Sequence, residues 1–379
     1  MNLSSKEKKY LHVISFDIPY PPNYGGVIDV YYKLKALKEA GIKIHLHCFE
    51  YSRNKSAKLN DYCESVTYYK RNIYKTNLFG KTPYIVASRS TEDLINNLLK
   101  DDFPILFEGL HSCYFLSDKR LKKRKKIVRM HNIEHNYYNS LANVEKKLFK
   151  RYYFLNEAAK LKRYENILNH ANGIAAISKN DAIYLAGKYK NVSVISAFHP
   201  HESVQIKEGL GSYALYHGTL SVGENNQAAI YLVNEVFNDL SIPLIIAGNN
   251  ASLELRQTII KNRNVKLRNK INNRKIDELI ENAQINILPT FQATGIKLKL
   301  LAALYKGRHC IVNTPMIENT GLESLCLVKD TTDDLKSEIK RVFTIPFSKE
   351  AVIEREKILL SNGFTNKNNT HKLIELLFP

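Results

Sequence analysis

Short apolar runs alternate with amphipathic stretches along nearly the whole chain. The first run, Tyr10-Leu-His-Val-Ile-Ser-Phe16, has the length and composition of a strand buried on both faces of a parallel sheet. A proline-rich, glycine-bearing turn follows over 19–26, then a helical pattern over 27–40 that Gly41 closes, then a second apolar run over 42–51. Further strands are predicted over 104–108, 126–130 and 173–177, and 141–171 reads as one long helical stretch rich in Glu, Lys, Leu and Tyr. The alternation restarts near Ser212. Strands are predicted over 213–216, 243–248, around 265, and over 285–289 and 309–313, with helices over 226–237, 274–282, 297–305, 333–343 and 369–378. Repeated alternation of this kind is the mark of parallel sheets covered by helices on both faces.

Two successive doubly wound, Rossmann-like α/β domains are therefore expected, one over 1–195 and one over 196–355. A helical segment over 356–379 is expected to pack back on the first. A chain of 379 residues is also too long for one ordinary core. Doubly wound sheets bind ligands beyond the carboxyl ends of their strands, so a cleft between the two domains is the expected site. That argument gives a place and leaves the reaction open.

Composition changes the picture in one respect. At 44% hydrophobic and 25% charged residues the chain reads as a soluble globular protein, and no run is apolar enough to span a bilayer. Residues 1–9 are polar and basic and lack the apolar core of a signal peptide, which predicts a cytoplasmic location. The five cysteines are scattered without metal-ligand spacing and read as buried, reduced thiols. The outlier is a formal charge of +19, a field that attracts polyanions, anionic lipid and phosphorylated substrates alike. Basic residues concentrate at Lys119, Arg120 and 122–126, and again at 146–154, where they interleave with aromatics. Each run fits a solvated face. Together they predict peripheral contact with an anionic membrane surface, at roughly 1 kcal/mol per basic residue. No recognition helix, zinc finger or RNA-binding signature accompanies the charge, so nucleic acid is not an expected partner.

The stretch Leu288-Pro-Thr-Phe-Gln-Ala-Thr-Gly295 leaves a strand, crosses a glycine loop and enters a helix bearing Lys297 and Lys299. Free backbone N–H groups at a helix start, aided by its dipole and two lysines, make a phosphate seat. The same lysines also fit ordinary exposed helix positions. With the Lys306-Gly-Arg308 turn, the strand to Asn313 and Thr320-Gly-Leu322, this region resembles the donor-binding region of retaining GT-B glycosyltransferases of the family-4-like, group 1 type. His217-Gly-Thr-Leu-Ser221, Asn226 and Leu244-Ile-Ile-Ala-Gly248 are similar to that family's glycine turn and following strand. Pro22-Asn-Tyr-Gly-Gly26, Phe107-Glu-Gly-Leu-His111, Arg129-Met-His-Asn-Ile-Glu-His135, Tyr164-Glu165 and Ala175-Ala-Ile-Ser178 with Asp181 resemble its first-domain elements.

The resemblance implies a GT-B fold and transfer of a sugar from a nucleotide-sugar donor to a hydroxyl of a glycan or lipid-linked acceptor, with retention, in cell-surface polysaccharide or glycoconjugate assembly. It implies no cofactor beyond the co-substrate and no obligatory metal. Donor contacts would come from Gly25, Gly26, Gly218, Thr219, Asn226, Thr294, Gly295, Lys297, Lys299 and Gly321. His111, His131 and Glu108 would lie near the reacting carbon, and Asn132, Glu134 and His135 on the acceptor side. His131-Asn-Ile-Glu-His135 lacks the spacing of a zinc-binding helix and follows a strand, so no metal is expected there. His12, His45 and His47 lie in strands and read as structural. One departure matters. Where the family carries a pair of glutamates, this chain has Thr294 and Ala302, and an alanine cannot accept a hydrogen bond from a ribose hydroxyl. The alternative expectation is a catalytically impaired relative that binds a sugar nucleotide or glycan within an assembly complex.

Overall fold

A computed structural model describes residues 8–291 and 298–379. The chain forms two compact units, one running up to Pro200 and rejoined by Thr365–Pro379, the other His201–Phe364.

The first unit is built on β1 (Tyr10–Ser15), β2 (Lys43–Glu50), β3 (Ser65–Lys70), β4 (Ile105–Glu108), β5 (Lys126–Met130), β6 (Gly173–Ala176) and β7 (Val192–Val194). All pair in parallel, in the order β3-β2-β1-β4-β5-β6-β7. Strand order reverses between β1 and β4, which opens a crevice at their carboxyl ends. The helix Gly25–Glu39 covers one face of this sheet. Val27, Val30, Leu34 and Leu37 recur at helical spacing and are fully buried. Leu373 and Leu377 of the closing helix Asn366–Leu377 join Val30, Leu34 and Leu37 in one core.

The second unit repeats the plan with β8 (Ala214–His217), β9 (Leu244–Ala247), β10 (Val265–Arg268), β11 (Ile285–Ile287), β12 (His309–Val312) and β13 (Leu327–Val328). Its all-parallel order is β10-β9-β8-β11-β12-β13, with the reversal between β8 and β11.

Four expectations need correction. The stretch 141–171 is not one helix: Glu134–Val144 and Leu148–Tyr164 are separate, followed by a 3-10 turn over Glu165–His170. Glu145 and Lys147 adopt extended backbone, and the Glu145 carboxylate accepts from the Lys147 N–H at 3.0 Å, satisfying a free donor at the start of the second helix. The chain leaves the first unit after Pro200 rather than after 195, because Arg129 and Asp29 hold the 195–198 backbone: Arg129 donates to the Ile195 and Ser196 carbonyls, and the Phe198 N–H donates to Asp29 at 2.8 Å. The return comes at Thr365 rather than 356, since the helix Lys349–Ser361 belongs to the second unit. There the buried Arg355 donates to the carbonyls of Gly307 and Arg308 at 2.6 and 2.8 Å. Finally, the basic run ending at Lys126 is only partly a solvated surface. Arg124 is buried and caps the carbonyls of Leu98, Asp101 and Phe103, and Lys126 donates to the Leu116 carbonyl at 2.8 Å.

Candidate functional site

Polar clusters stand at the strand-order reversals of both sheets. In the first unit, the helix Gly25–Glu39 places Asp29 and Lys33 one turn apart against the ends of β4 and β5. Lys33 Nζ lies 2.8 Å from Asp29 Oδ2 and 2.6 and 2.8 Å from the two Glu108 oxygens, with all three side chains fully buried. Arg129 adds a contact of 2.9 Å to Asp29. Burial alone would raise both carboxyls; for Asp29 the cations Arg129 and Lys33 outweigh it, and for Glu108 Lys33 and His131 do, so both are held below the ordinary range. His131 Nε2 lies 2.9 Å from Glu108 Oε2, and its other nitrogen 3.9 Å from Asp29. An ionised Glu108 accepts the Nε2 proton and so fixes the tautomer and the ring's orientation.

Glu108 is fully buried, and both its oxygens are engaged, by Lys33 and His131. Asp29, Glu108 and His131 also bring three ligand atoms within 4.8 Å of one another. Lys33 and Arg129 already neutralise both carboxylates there, which removes the charge that would draw a divalent ion.

A second layer surrounds the turn after β4. Gly109 has φ +70°, and a Cβ there would meet His111 Nδ1 at 3.0 Å. Phe16 packs against both His111 and His131, with ring centroids 5.4 Å away in each case. Gly26, in the first turn of its helix beside Gly25, admits the Phe16 ring, since a Cβ would lie 2.7 Å from it. His111 Nδ1 and Glu134 Oε1 are 3.7 Å apart, and neither has a hydrogen-bond partner among the described residues. Burial drives His111 well below its ordinary value, with Arg89 adding to the effect, so the ring is neutral. Burial, with Asp181 adding, pushes Glu134 up to about 8, so near neutral pH it is largely a carboxylic acid. Asn132 is half-buried in the turn after β5. His135 departs from the acceptor-side expectation: it turns inward to Glu165 at 3.3 Å, which also receives Tyr184 and Lys188, and it braces three helical segments.

In the second unit, Gly218 and Thr219 follow β8 and Gly248 follows β9. A Cβ on Gly248 would lie 1.9 Å from the Gly218 carbonyl oxygen, so these turns approach more closely than any side chain permits. Asn225 organises the site: its Nδ2 donates to the Thr219 carbonyl at 3.1 Å, its Oδ1 accepts from Lys299 Nζ at 2.9 Å, and its own carbonyl accepts from Tyr216 at 3.1 Å. Lys299, in the first turn of the helix Leu298–Lys306, lies 5.1 Å over the Tyr216 ring. Among the described residues, His217 Nε2 and Asn226 Oδ1 are buried without a hydrogen-bond partner. Burial, then Lys299, lowers His217 to about 3, leaving a neutral ring.

Sequence reasoning weighted Asn226 and missed Asn225 and Glu224. Glu224 stands in the first turn of Gly223–Tyr231 and accepts from Thr290 at the end of β11. The signal available was an acidic residue at a helix start directly after a glycine turn. Asn313 pins the ends of β11 and β12 through two bonds to the Thr290 backbone, of 2.9 and 2.7 Å. Gly321 adopts φ +78°, and its carbonyl accepts from Asn362 at 2.6 Å. Ala302 packs against the apolar cluster of Leu215, Ile245, Ala247 and Ile280. Thr294, Gly295 and Lys297 lie outside the described residues.

Two doubly wound, all-parallel units in succession also describe a known group of solved structures. TarM matches with a TM-score of 0.70 at 12% identity over 98% of this chain and 99% of that one. Alr3699/HepE of Anabaena, solved with UDP and glucose, matches with a TM-score of 0.64 at 10% identity, covering 97% of this chain and 99% of its own. The chain has the GT-B fold. At the sequence level it is 26% identical over 339 residues to a 44.6 kDa protein of the cps region of Klebsiella pneumoniae, covering 84% of this chain and 87% of that protein. No family model matches. On the GT-B fold the β8 and β11 ends lie at the strand-order reversal of the second unit, where such sheets take nucleotides. Among the described residues no helix is long and apolar enough to cross a membrane.

Proposed function

We propose that this chain is a glycosyltransferase that moves a sugar from a nucleoside-diphosphate donor to a hydroxyl acceptor during assembly of a cell-surface polysaccharide or glycoconjugate. The observation that carries the reading is the second-unit turn, where Gly218 and Gly248 touch backbone to backbone, Asn225 holds Lys299, and a helix start opens onto the same end of the sheet. Lys299 and the helix start would neutralise the departing diphosphate, which is the main electrostatic task of such a transfer. Support for a uridine donor comes from HepE, whose structure holds UDP and glucose. Support for the polysaccharide setting comes from the relative in the cps region.

In the first unit, His131 presents an oriented imidazole and His111 a neutral one, and Glu134 presents a neutral carboxyl near pH 7. Neutral donors and acceptors suit recognition of sugar hydroxyls without drawing a competing counter-ion. The resemblance to retaining enzymes extends the proposal to retention at the anomeric carbon without a metal. A second reading, a sugar-nucleotide binder without turnover, is favoured by Ala302, which offers only a methyl group and lies against apolar neighbours.

Thermal stability against UDP-, GDP- and ADP-sugars tests the donor site, since a native-state ligand raises apparent stability by mass action. A saturable shift with one base is expected. No shift with any of them refutes the donor site, and a shift without product formation across an acceptor panel selects the binder.

A further inference from the structure

The helix Leu148–Tyr164 is apolar on two sides. Its inner side packs on the first unit: Ala158 and Leu161 are buried, Glu157 accepts from the Tyr84 N–H at 2.6 Å, and Lys160 donates to the Leu78 carbonyl at 2.5 Å. Its outer side should then be polar. Instead Leu148, Tyr152, Leu155 and Ala159 recur at i, i+4, i+7 and i+11 along the solvent side, and the first three are 78, 73 and 44% exposed. Phe149, on the flank of that stripe, is 95% exposed. Beside the helix, the bond from Lys160 to Leu78 anchors the short turn Lys75–Leu78, which carries Phe79 at 90% exposure. Solvent-facing aromatics in such density mark an interaction surface.

The charges say what it meets. Lys146, Lys147, Arg151, Lys162 and Arg163 border the stripe, and Glu145 is taken up at 2.7 Å by Lys150, which lies around the helix from the stripe. A second copy of this chain would bring another +19 against it, which opposes self-association. The stripe lies on a convex helix rather than in a groove, and long basic side chains beside it can reach upward while their stems stay apolar. We propose that this face docks on an anionic lipid bilayer, with Leu148, Phe149, Tyr152 and Leu155 entering the headgroup–acyl boundary and the basic rim on the lipid phosphates. The inference narrows the basic-surface expectation to one of its two runs, because Arg124 and Lys126 of the other are spent on their own unit's carbonyls. It stands independently of the donor reading.

The chain contains no tryptophan, so an F149W variant carries a single reporter. Full-length protein is mixed with vesicles of phosphatidylcholine alone or of equimolar phosphatidylcholine and phosphatidylglycerol. Expected are sedimentation with the anionic vesicles only, weakening with salt, and a blue shift of the reporter that brominated acyl chains quench. Phe149→Ser with Tyr152→Ser, and separately Lys146→Gln, Lys147→Gln and Arg151→Gln together, should each reduce vesicle affinity by more than about tenfold while leaving the melting temperature and the sugar-nucleotide response unchanged. Equal binding to neutral vesicles, no binding, or binding with unshifted emission overturns the proposal. So does a dimer that Leu155→Glu dissociates in the absence of lipid, which would assign the face to a second copy.

Discussion

Replacing Glu134 by Gln isolates a single buried titration. Glu134 begins the helix Glu134–Val144, is 2% exposed, and has one oxygen without a partner. Burial, reinforced by Asp181 and opposed by Arg89, raises it from an ordinary 4.5 to about 8. An acid raised on folding binds its proton more tightly in the native state, so its contribution is whole below pH 4.5 and is lost as pH rises through about 8. At 1.36 kcal/mol per unit, the shift from 4.5 to about 8 corresponds to at most about 5 kcal/mol, and to about 3 kcal/mol if water relaxes part of the burial. Glutamine keeps the shape and does not titrate. Urea unfolding of wild type and Glu134→Gln at half-unit steps from pH 5 to pH 9 should therefore show the variant gaining on the wild type by about 2–4 kcal/mol across that window. Asp29 and Glu108 are depressed and act in the opposite sense, with stability lost as pH falls. They are common to both proteins and cancel in the difference. Parallel stability curves over the whole range would refute the claim that Glu134 is protonated in the folded state.

Lys33→Met should destabilise the first unit by about 3–5 kcal/mol, because Asp29 and Glu108 then remain buried with one cation between them; chemical denaturation reads this, and a loss under 1 kcal/mol (roughly the worth of an exposed pair) contradicts the buried network. Gly248→Ala should cost about 1–3 kcal/mol through the clash with the Gly218 carbonyl and weaken any sugar-nucleotide shift in parallel; unchanged melting and unchanged ligand response would mean the two turns part freely. Lys299→Met removes the charge that Asn225 holds and should weaken donor binding by about 10- to 100-fold, the worth of one charged hydrogen bond. Titration calorimetry reads that value, and wild-type affinity would take Lys299 out of the diphosphate site.

Strand content was legible because the central strands are short, apolar and buried on both faces. Leu11, Val13 and Ile14 of β1 and Leu244 and Ile246 of β9 are fully buried, and runs of that kind are hard to mistake. The edge strands were not: β3 and β7 show mostly half-exposed residues and no continuous apolar run. The break near residue 145 was hidden because Glu145, Lys146 and Lys147 have good helix propensity, and a side-chain hydrogen bond to the backbone decides there. The chain's exchange between units after Pro200 and at Phe364 was displaced in the sequence reading because it depends on where Arg129 and Arg355 find carbonyls, which no local pattern records.

The candidate site divides along the same line. Positions set by backbone geometry could be read ahead of the structure: Gly26, Gly218 and Gly321 all stand where a ring, a side chain or a positive φ leaves room for little else. Positions set by partners could not. Asn225 and Asn226 are adjacent and chemically identical, and only the placement of Tyr216, Thr219 and Lys299 makes the first the organiser. By sequence, Glu108 at a strand end, His111 and His131 just beyond strand ends, and His135 further along were all open candidates. The structure sorts them by what already occupies them. Glu108 is consumed by Lys33, and His135 lies against Glu165. His131 is oriented through one nitrogen, and His111 is neutral with an unpartnered nitrogen. A side chain whose hydrogen-bonding capacity is spent inside the fold can position a neighbour and do little else. Among the described residues, His111, Glu134, His217 and Asn226 near the strand ends keep such capacity, and a ligand there would have the most to satisfy.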